Sequence, residues 1–187
     1  MLEYSPQHLE EQKALDFWIF SYLGNGINFN DIAKLKYSNI KGEKLSFIRS
    51  KTRNKNRSHL KEISIFMLPK ILEIINRWGN PKNTENEYIF PILNEAMTAM
   101  GQYNAIAQFI KNTNKYLKRV SVTLELDIPI TTYFARHSFA TRLKRAGASI
   151  EYISEGLGHS SIATTENYLS GFTDETIKKN ANLLIDL

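Results

Sequence analysis

A run of alternating basic side chains is the first feature of this sequence that could do chemistry. Between positions 49 and 61, every second residue is basic or histidine: Arg49, Lys51, Arg53, Lys55, Arg57, His59 and Lys61. In an extended hairpin, a period of two places these side chains on one surface, where they can neutralise phosphates along a nucleic-acid backbone. The predicted contacts to such a backbone are Arg49, Arg53, Lys55 and Arg57. The run is equally compatible with a solvated loop that has no partner.

The composition narrows the chemistry further. The 187 residues include no cysteine, which excludes disulfides, thiolate metal sites and cysteine nucleophiles. Any nucleophile must therefore be an oxygen. The formal net charge of +5 favours a polyanionic partner. With 42% hydrophobic residues, the chain is expected to fold as one globular unit.

Two segments near the C-terminus carry a specific combination of polar residues. Residues 131–141 read TTYFARHSFAT, and residues 157–168 read LGHSSIATTENY, which places Tyr168 nine residues after His159. This arrangement resembles the signature of the tyrosine recombinase or phage-type integrase family. Weaker similarity extends to residues 26–32 (GINFNDI) and 50–52 (SKT), so the resemblance covers most of the chain.

The resemblance implies a site-specific DNA recombinase, an enzyme that breaks and rejoins DNA strands. Tyr168 would attack a phosphodiester to form a 3′-phosphotyrosyl intermediate. Arg136 and His159 would bind the scissile phosphate, and Lys51 would protonate the departing 5′-oxygen. A phenol has a pKa of about 10, so its attack needs a base or a strong positive potential. The intermediate retains the bond energy, so strand exchange would need no ATP. The arginine, histidine and lysine would supply the charge that a metal ion provides in metal-dependent nucleases, so no metal or other cofactor is expected.

Two positions depart from the family pattern. Asn28 stands where the family has its first arginine, and an amide donates hydrogen bonds but brings no charge. Tyr133, three residues before Arg136, stands where the family usually has His or Lys. Tyr133 is the poorer proton donor or acceptor near neutral pH. We treat Asn28 and Tyr133 as possible substitutes at catalytic positions, and His137 as a structural residue.

Two other functions compete with this prediction. The first is a non-catalytic DNA-binding relative, in which the basic cleft remains but the altered cluster no longer cuts. The second is a metal-dependent nuclease, which is disfavoured because the Asp and Glu residues form no obvious ligand cluster and no His-based metal motif is present.

Helices must position most of these residues. Leu15, Trp18, Ile19 and Tyr22 have the spacing of a buried helix face, which residues 24–26 (GNG) end. Residues 5 and 6 (SP) carry a helix-start signal, and Asn30 is expected to cap a short helix over 31–35. Pro69 favours another helix start, and apolar periodicity predicts a longer helix over about 102–120.

The remaining elements follow from alternation and glycine punctuation. Leu45 with Phe47, and Ile63 with Ile65, predict two short strands that flank the basic run as a hairpin. Two C-terminal helices are expected to end at Gly147 and Gly158, and Ser161 is a candidate cap for the next. The expected fold is mainly α with a small antiparallel β-sheet, as in the family's catalytic domain.

The resemblance also implies organisation and partners. Residues 1–187 are expected to form a single catalytic domain, without the N-terminal core-binding domain of the family. The expected partner is double-stranded DNA, on which a chain that is monomeric in free solution would assemble as a homo-tetramer. A C-terminal helix from about residue 173 is expected to pack on its own domain or on a neighbouring protomer. The family favours the neighbouring protomer. No membrane span or signal segment is apparent, so we expect a cytoplasmic location without membrane association.

Overall fold

Eight helices surround a small sheet in the computed structural model, which describes residues 4–53, 61–166 and 169. The helices are α1 (Leu9–Leu23), α2 (Phe29–Ile32), α3 (Ser50–Arg53), α4 (Pro69–Trp78), α5 (Ala99–Thr123), α6 (Thr132–Arg145), α7 (Ile150–Leu157) and α8 (Ile162–Glu166). The strands are β1 (Ile40–Lys41), β2 (Lys44–Ile48) and β3 (Glu62–Phe66), with a 3₁₀ turn at Tyr37–Asn39. The predicted fold class, mainly α with a small antiparallel sheet, is confirmed.

The sheet is an antiparallel meander in the order β1-β2-β3. Leu45 pairs with Ile65 and Phe47 pairs with Ile63, and all four side chains are buried. The alternation in the sequence predicted β2 and β3 because one face of the sheet covers the core. The two-residue strand β1 was not predicted, since two residues are too few to show alternation.

Helix α1 runs through the centre of the molecule and packs against α4, α5 and α6. The ring of Phe17 meets the edges of Phe90 and Phe109, with ring centroids 4.8 and 4.9 Å apart. Buried residues lie all round α1, as expected for a helix enclosed by other elements. Asp16 is fully buried in this helix and accepts hydrogen bonds from Arg77 and Trp78, both at 2.8 Å. These two bonds tie the end of α4 to α1.

Two predicted helix starts are wrong. Helix α1 begins at Leu9 after His8, so the signal at residues 5 and 6 does not start it. Asn28, not Asn30, precedes α2, and Asn30 lies inside the helix. The carbonyl of Asn28 accepts from the backbone N–H groups of Asp31 and Ile32, so the first turn closes two residues earlier than predicted. Asn28 takes the N-cap position in an extended backbone conformation, and its side chain makes no capping hydrogen bond.

The predicted extended hairpin is also wrong where the basic run begins. Residues 50–53 form the helical turn α3, so Lys51 and Arg53 do not continue the alternation of β2. The carboxylate of the buried Asp31 accepts a 2.9 Å hydrogen bond from the backbone N–H of Ser50, the first residue of α3. This contact satisfies an N–H group that the start of a helix leaves without an intrahelical partner. The rest of the run, up to position 60, lies outside the described residues.

Three other sequence predictions hold in position. Pro69 is the first residue of α4, and α5 extends the predicted helix over 102–120 by three residues at each end. Ser161 directly precedes α8. The predicted C-terminal helix from about residue 173 lies outside the described residues. No helix in the described ranges is both long and apolar enough to cross a membrane.

Gly158 ends helix α7 in the left-handed conformation, with φ of 63°. Its N–H bonds to the carbonyl of Glu155, and the N–H of His159 bonds to the carbonyl of Ser154 at 3.0 Å. This pair of bonds is a Schellman motif, which satisfies the last carbonyls of the helix and turns the chain sharply. A Cβ atom at position 158 would lie 2.3 Å from Cδ1 of Ile63 on β3. Glycine is therefore required here both for φ and for space.

We predict that Gly158→Ala lowers the free energy of unfolding by about 2 to 4 kcal/mol, from backbone strain together with the overlap with Ile63. The matched control is Gly147→Ala, because Gly147 also has a positive φ, of 85°, but an added Cβ would meet nothing within 4 Å. The control should lose only about 1 kcal/mol. Urea denaturation measures both, and equal losses would contradict the importance of the contact with Ile63.

Candidate active site

The buried guanidinium of Arg136 lies at the centre of the candidate site. The side chain extends from α6 and is only 5% exposed. Its Nη1 donates to the carbonyl of Gly26 at 2.9 Å, and its Nη2 donates to the carbonyl of Leu157. A buried charge needs such partners, because its desolvation is otherwise very costly. Arg136 thus joins the turn after α1 to the last residue of α7.

Gly26 permits the close approach of Arg136 to the turn after α1. Its φ is +66°, and a Cβ atom here would lie 3.0 Å from both Cα and Cγ of Arg136. The glycine that the sequence marked as a helix terminator therefore also makes space for the arginine. Any larger residue would displace the arginine backbone or strain the turn.

His159 lies against Arg136 at the C-terminal end of α7. Its Nε2 is 3.2 Å from Nη2 of Arg136, and its Nδ1 is 2.8 Å from Oγ1 of Thr165, which is fully buried in α8. Arginine can only donate, so Nε2 must be the acceptor and the proton of the neutral imidazole must be on Nδ1. Thr165 therefore holds the ring in one tautomer, with its Nδ1–H donated to the hydroxyl.

The environment keeps the His159 imidazole neutral. Burial first, and then the positive charges of Arg136 and Arg49, lower the pKa of His159 from 6.5 to about 4. Each of these effects disfavours the imidazolium form. His159 in the unliganded protein is therefore a neutral ring over the whole physiological pH range.

Arg49 reaches the same place from the end of β2. Its Nη1 is 3.5 Å from the carbonyl of Gly158. With the Asn28 carboxamide turned so that its oxygen faces the guanidinium, this oxygen accepts from Nε at 3.3 Å and from Nη2 at 3.2 Å. The sequence had grouped Arg49 with the general DNA contacts. The structure brings it to Asn28 and His159 instead.

Tyr133 lies about one turn before Arg136 on α6 and is 56% exposed. Its ring packs edge-on against His137, with centroids 4.4 Å apart. Burial and the nearby charge of Arg136 lower the pKa of His137 as well. Tyr133 and His137 thus form a partly exposed pair on the surface of α6, in keeping with a structural role for His137.

Lys51 is exposed on α3, two residues beyond Arg49. The hydrogen bond from Ser50 to Asp31 sets the start of α3 and so determines where the backbone of Lys51 lies. Arg53 is the last residue of the same helix. Among the residues predicted from the sequence, Lys55, Arg57 and the proposed nucleophile Tyr168 lie outside the described residues.

Comparisons with known proteins identify the family of this chain. The family model described as the phage integrase family matches residues 5–174. The chain belongs to the phage integrase family. A tyrosine recombinase XerD of Rickettsia bellii is 27% identical over 180 residues, which are 90% of this chain and 55% of that relative. A XerD of Halalkalibacterium halodurans is 43% identical over 54 residues, 29% of this chain and 18% of that relative.

Solved phage integrase relatives share the fold. The Tn1549 transposon integrase, in complex with a circular intermediate DNA, has a TM-score of 0.63 and 19% identity, covering 94% of this chain and 60% of that one. The XerH recombinase in a post-cleavage complex with a palindromic difH substrate has a TM-score of 0.59 and 15% identity, covering 96% and 48%. The present chain thus spans about half the length of the relatives it matches.

Sequence reasoning missed two residues of the candidate site, Thr165 and Arg49. Thr165, which holds the His159 tautomer, lies within the LGHSSIATTENY segment but has no signal of its own, because its role depends on burial against the histidine. Arg49 could have been singled out from the uncharged residue at position 28. A missing charge at Asn28 invites a search for another basic residue, and only the fold identifies which one is near.

We predict that the pH dependence of stability reports the lowered pKa of His159. Between pH 6.5 and about 4, the unfolded imidazole takes up a proton while the folded one does not. The free energy of unfolding should therefore fall as pH drops through this range. In His159→Gln this contribution disappears, so the difference between the variant and the wild-type protein should shrink or reverse toward pH 4. Urea titrations at several pH values measure the free energy of unfolding of both proteins. Parallel pH dependences of the two would contradict the lowered pKa of His159.

Proposed function

We propose that this chain is the catalytic domain of a site-specific DNA recombinase that acts through Tyr168. The observation that carries the proposal is the contact between the buried Arg136 and the half-buried His159, whose side chains lie 3.2 Å apart at the positions of the family motif. The Arg136 guanidinium can bind the non-bridging oxygens of a phosphodiester, and the unprotonated Nε2 of the neutral His159 can accept a proton. Membership of the phage integrase family supports the same reaction.

The proposed cleavage step exchanges one phosphorus–oxygen bond for another. The phenolic oxygen of Tyr168 forms a bond to phosphorus, and the bond from phosphorus to the 5′-oxygen breaks. The leaving 5′-oxygen takes a proton from Lys51, while the phenolic proton leaves to solvent or to the neutral His159. A free 5′-hydroxyl of another strand can reverse the step, so that strands are exchanged without loss of bond energy.

The proposed reaction uses the charges of the chain itself. Arg136, His159 and Lys51 would stabilise the transition state and the leaving group, as a metal ion does in metal-dependent nucleases. The reaction therefore needs neither a metal ion nor ATP. Double-stranded DNA is the proposed partner, in keeping with the DNA complexes of the Tn1549 integrase and XerH, and Arg53, Lys55 and Arg57 would contact its backbone.

We predict that the protein forms a covalent adduct with nicked DNA through Tyr168. The substrate is a labelled pool of nicked duplexes with randomised sequence around the nick. Cleavage near the nick releases a short 5′-hydroxyl fragment that diffuses away, so the protein stays covalently attached to the DNA. Denaturing gels should reveal the adduct with the wild-type protein, with or without EDTA. Tyr168→Phe should abolish it, because the attacking oxygen is gone.

Tyr103→Phe is the matched control, since Tyr103 is 70% exposed at the start of α5 and should leave the adduct unchanged. If the wild-type protein binds the duplexes but forms no adduct, the chain is a non-catalytic DNA-binding relative. The uncharged Asn28 is the observation that favours this second function. An adduct that EDTA abolishes would instead contradict the metal-free step.

We further propose that the protein is monomeric in free solution and assembles as a tetramer on DNA, because recombination joins two duplexes with a protomer at each cleavage site. Light scattering on the protein alone should give the mass of one chain, and with a recombination site the mass of four. A tetramer that forms without DNA would contradict this.

A further inference from the structure

The pocket around His159 contains a guanidinium that the family motif does not assign. The resemblance places Asn28 where the family has its first arginine, so the motif alone leaves the site one positive charge short. An amide at this position offers hydrogen bonds but cannot balance the negative charge that develops on a phosphate during its transfer. A second fixed guanidinium would remove this deficit.

The end of β2 brings Arg49 to the position where this charge is missing. The oxygen of Asn28 accepts from both Nε and Nη2 of Arg49, at 3.3 and 3.2 Å. Two bonds to one edge of the planar guanidinium orient the whole group, as a bidentate partner does. Asn28 therefore occupies the expected position of the first arginine and holds the side chain of another arginine there.

The other side of the Arg49 guanidinium faces the turn that carries His159. Its Nη1 lies 3.5 Å from the carbonyl of Gly158, and its Cδ is 3.7 Å from the point where a Cβ of residue 158 would lie. The charge of Arg49 is close enough to lower the pKa of His159. Arg49 and Arg136 thus both bring a full positive charge close to the neutral imidazole of His159.

Two guanidinium charges near one neutral imidazole attract an anion such as a phosphodiester, whose negative charge would balance theirs. Arginine suits this task because its charge is permanent and its fork matches two phosphate oxygens. A lysine on the exposed α3, such as Lys51, has neither property.

We propose that Arg49 is a catalytic residue that supplies the scissile phosphate with the positive charge missing at position 28, and that Asn28 is the positioning residue that orients it. The proposal rests on the proposed recombinase function. Arg49 changes no covalent bond itself. It neutralises a non-bridging oxygen while Tyr168 attacks and the 5′-oxygen leaves.

The test compares cleavage of two nicked substrates by variants of Arg49. One pool has an ordinary phosphodiester at the cleavage position, and the other has a methylphosphonate, in which a methyl group replaces one charged oxygen. On the phosphodiester, Arg49→Gln should slow adduct formation by about 100-fold or more, the usual effect of removing one transition-state donor. The rate of adduct formation by Arg49→Lys should lie between those of the wild-type protein and Arg49→Gln, because a point charge remains but the planar pair of donors is lost.

On the methylphosphonate, whose phosphorus centre carries no charge to balance, the defect of Arg49→Gln should shrink to about 10-fold or less. A residue that only fastens β2 to α7 would slow both substrates equally, and that result would overturn the proposal. The control variant Lys44→Gln removes one charge from the start of β2, the end of the strand opposite Arg49. It should form the adduct at the wild-type rate on both substrates.

Exchange of the two residues provides a second and independent test. The double variant Asn28→Arg with Arg49→Asn returns an arginine to the family position, and it should cleave faster than Arg49→Asn alone. Circular dichroism and thermal melts identify any variant that fails to fold, and in that case Arg49→Lys and the exchange variant decide the question.

The outcomes separate the two proposals. A wild-type protein that forms no adduct with either pool overturns the recombinase function and the role of Arg49 with it. A wild-type protein that forms the adduct, together with an Arg49→Gln variant that forms it at the same rate, overturns the role of Arg49 alone.

Discussion

The burial of the Arg136 guanidinium is the constraint on which the described site depends. An arginine that is 5% exposed stays charged, so the protein must surround it with oxygen acceptors. The carbonyls of Gly26 and Leu157 meet this need, and they belong to turns that are far apart in sequence. One side chain therefore fixes the exit of α1, the end of α7 and the ring of His159 relative to one another. Breaking any of these contacts would remove an acceptor from a buried charge, which is more costly than the loss of a surface interaction.

The glycines follow from this constraint. Gly26 and Gly158 both have positive φ, and both lie where a side chain would overlap a functional or core neighbour. At Gly26 the neighbour is Arg136 itself, and at Gly158 it is Ile63 of the sheet. The backbone can approach these groups only without a Cβ atom. The Gly158 turn then directs His159 back toward Arg136, where Thr165 holds its tautomer. Glycine at these two positions thus serves both the packing of the core and the placement of Arg136 and His159.

The distribution of charge follows a similar logic. Burial first, and then the charges of two nearby arginines, lower the pKa of His159 and keep its imidazole neutral, so the site avoids a third positive charge. Asn28 adds no charge but offers an oxygen to Arg49. In this member of the phage integrase family, the neutral residue at this position contacts the guanidinium of Arg49, which follows β2. The residue type at one aligned position therefore does not determine how much positive charge this part of the site contains.

The sequence alone determined the features that depend on local pattern. The face of α1, the strands β2 and β3, Pro69 at the start of α4 and Gly158 at the end of α7 all follow from side-chain periodicity or backbone preference within a few residues. The motif residues Arg136 and His159 were also identified, because residue types at fixed spacing carry the family signature. Only the tertiary structure decided the helical turn α3, the cap at Asn28, and the partners Arg49 and Thr165. Each depends on atoms from separate elements, such as the Asp31 carboxylate that meets the N–H of Ser50 across 19 positions. Such contacts exist only after the core has brought the elements together, and local pattern therefore cannot encode them.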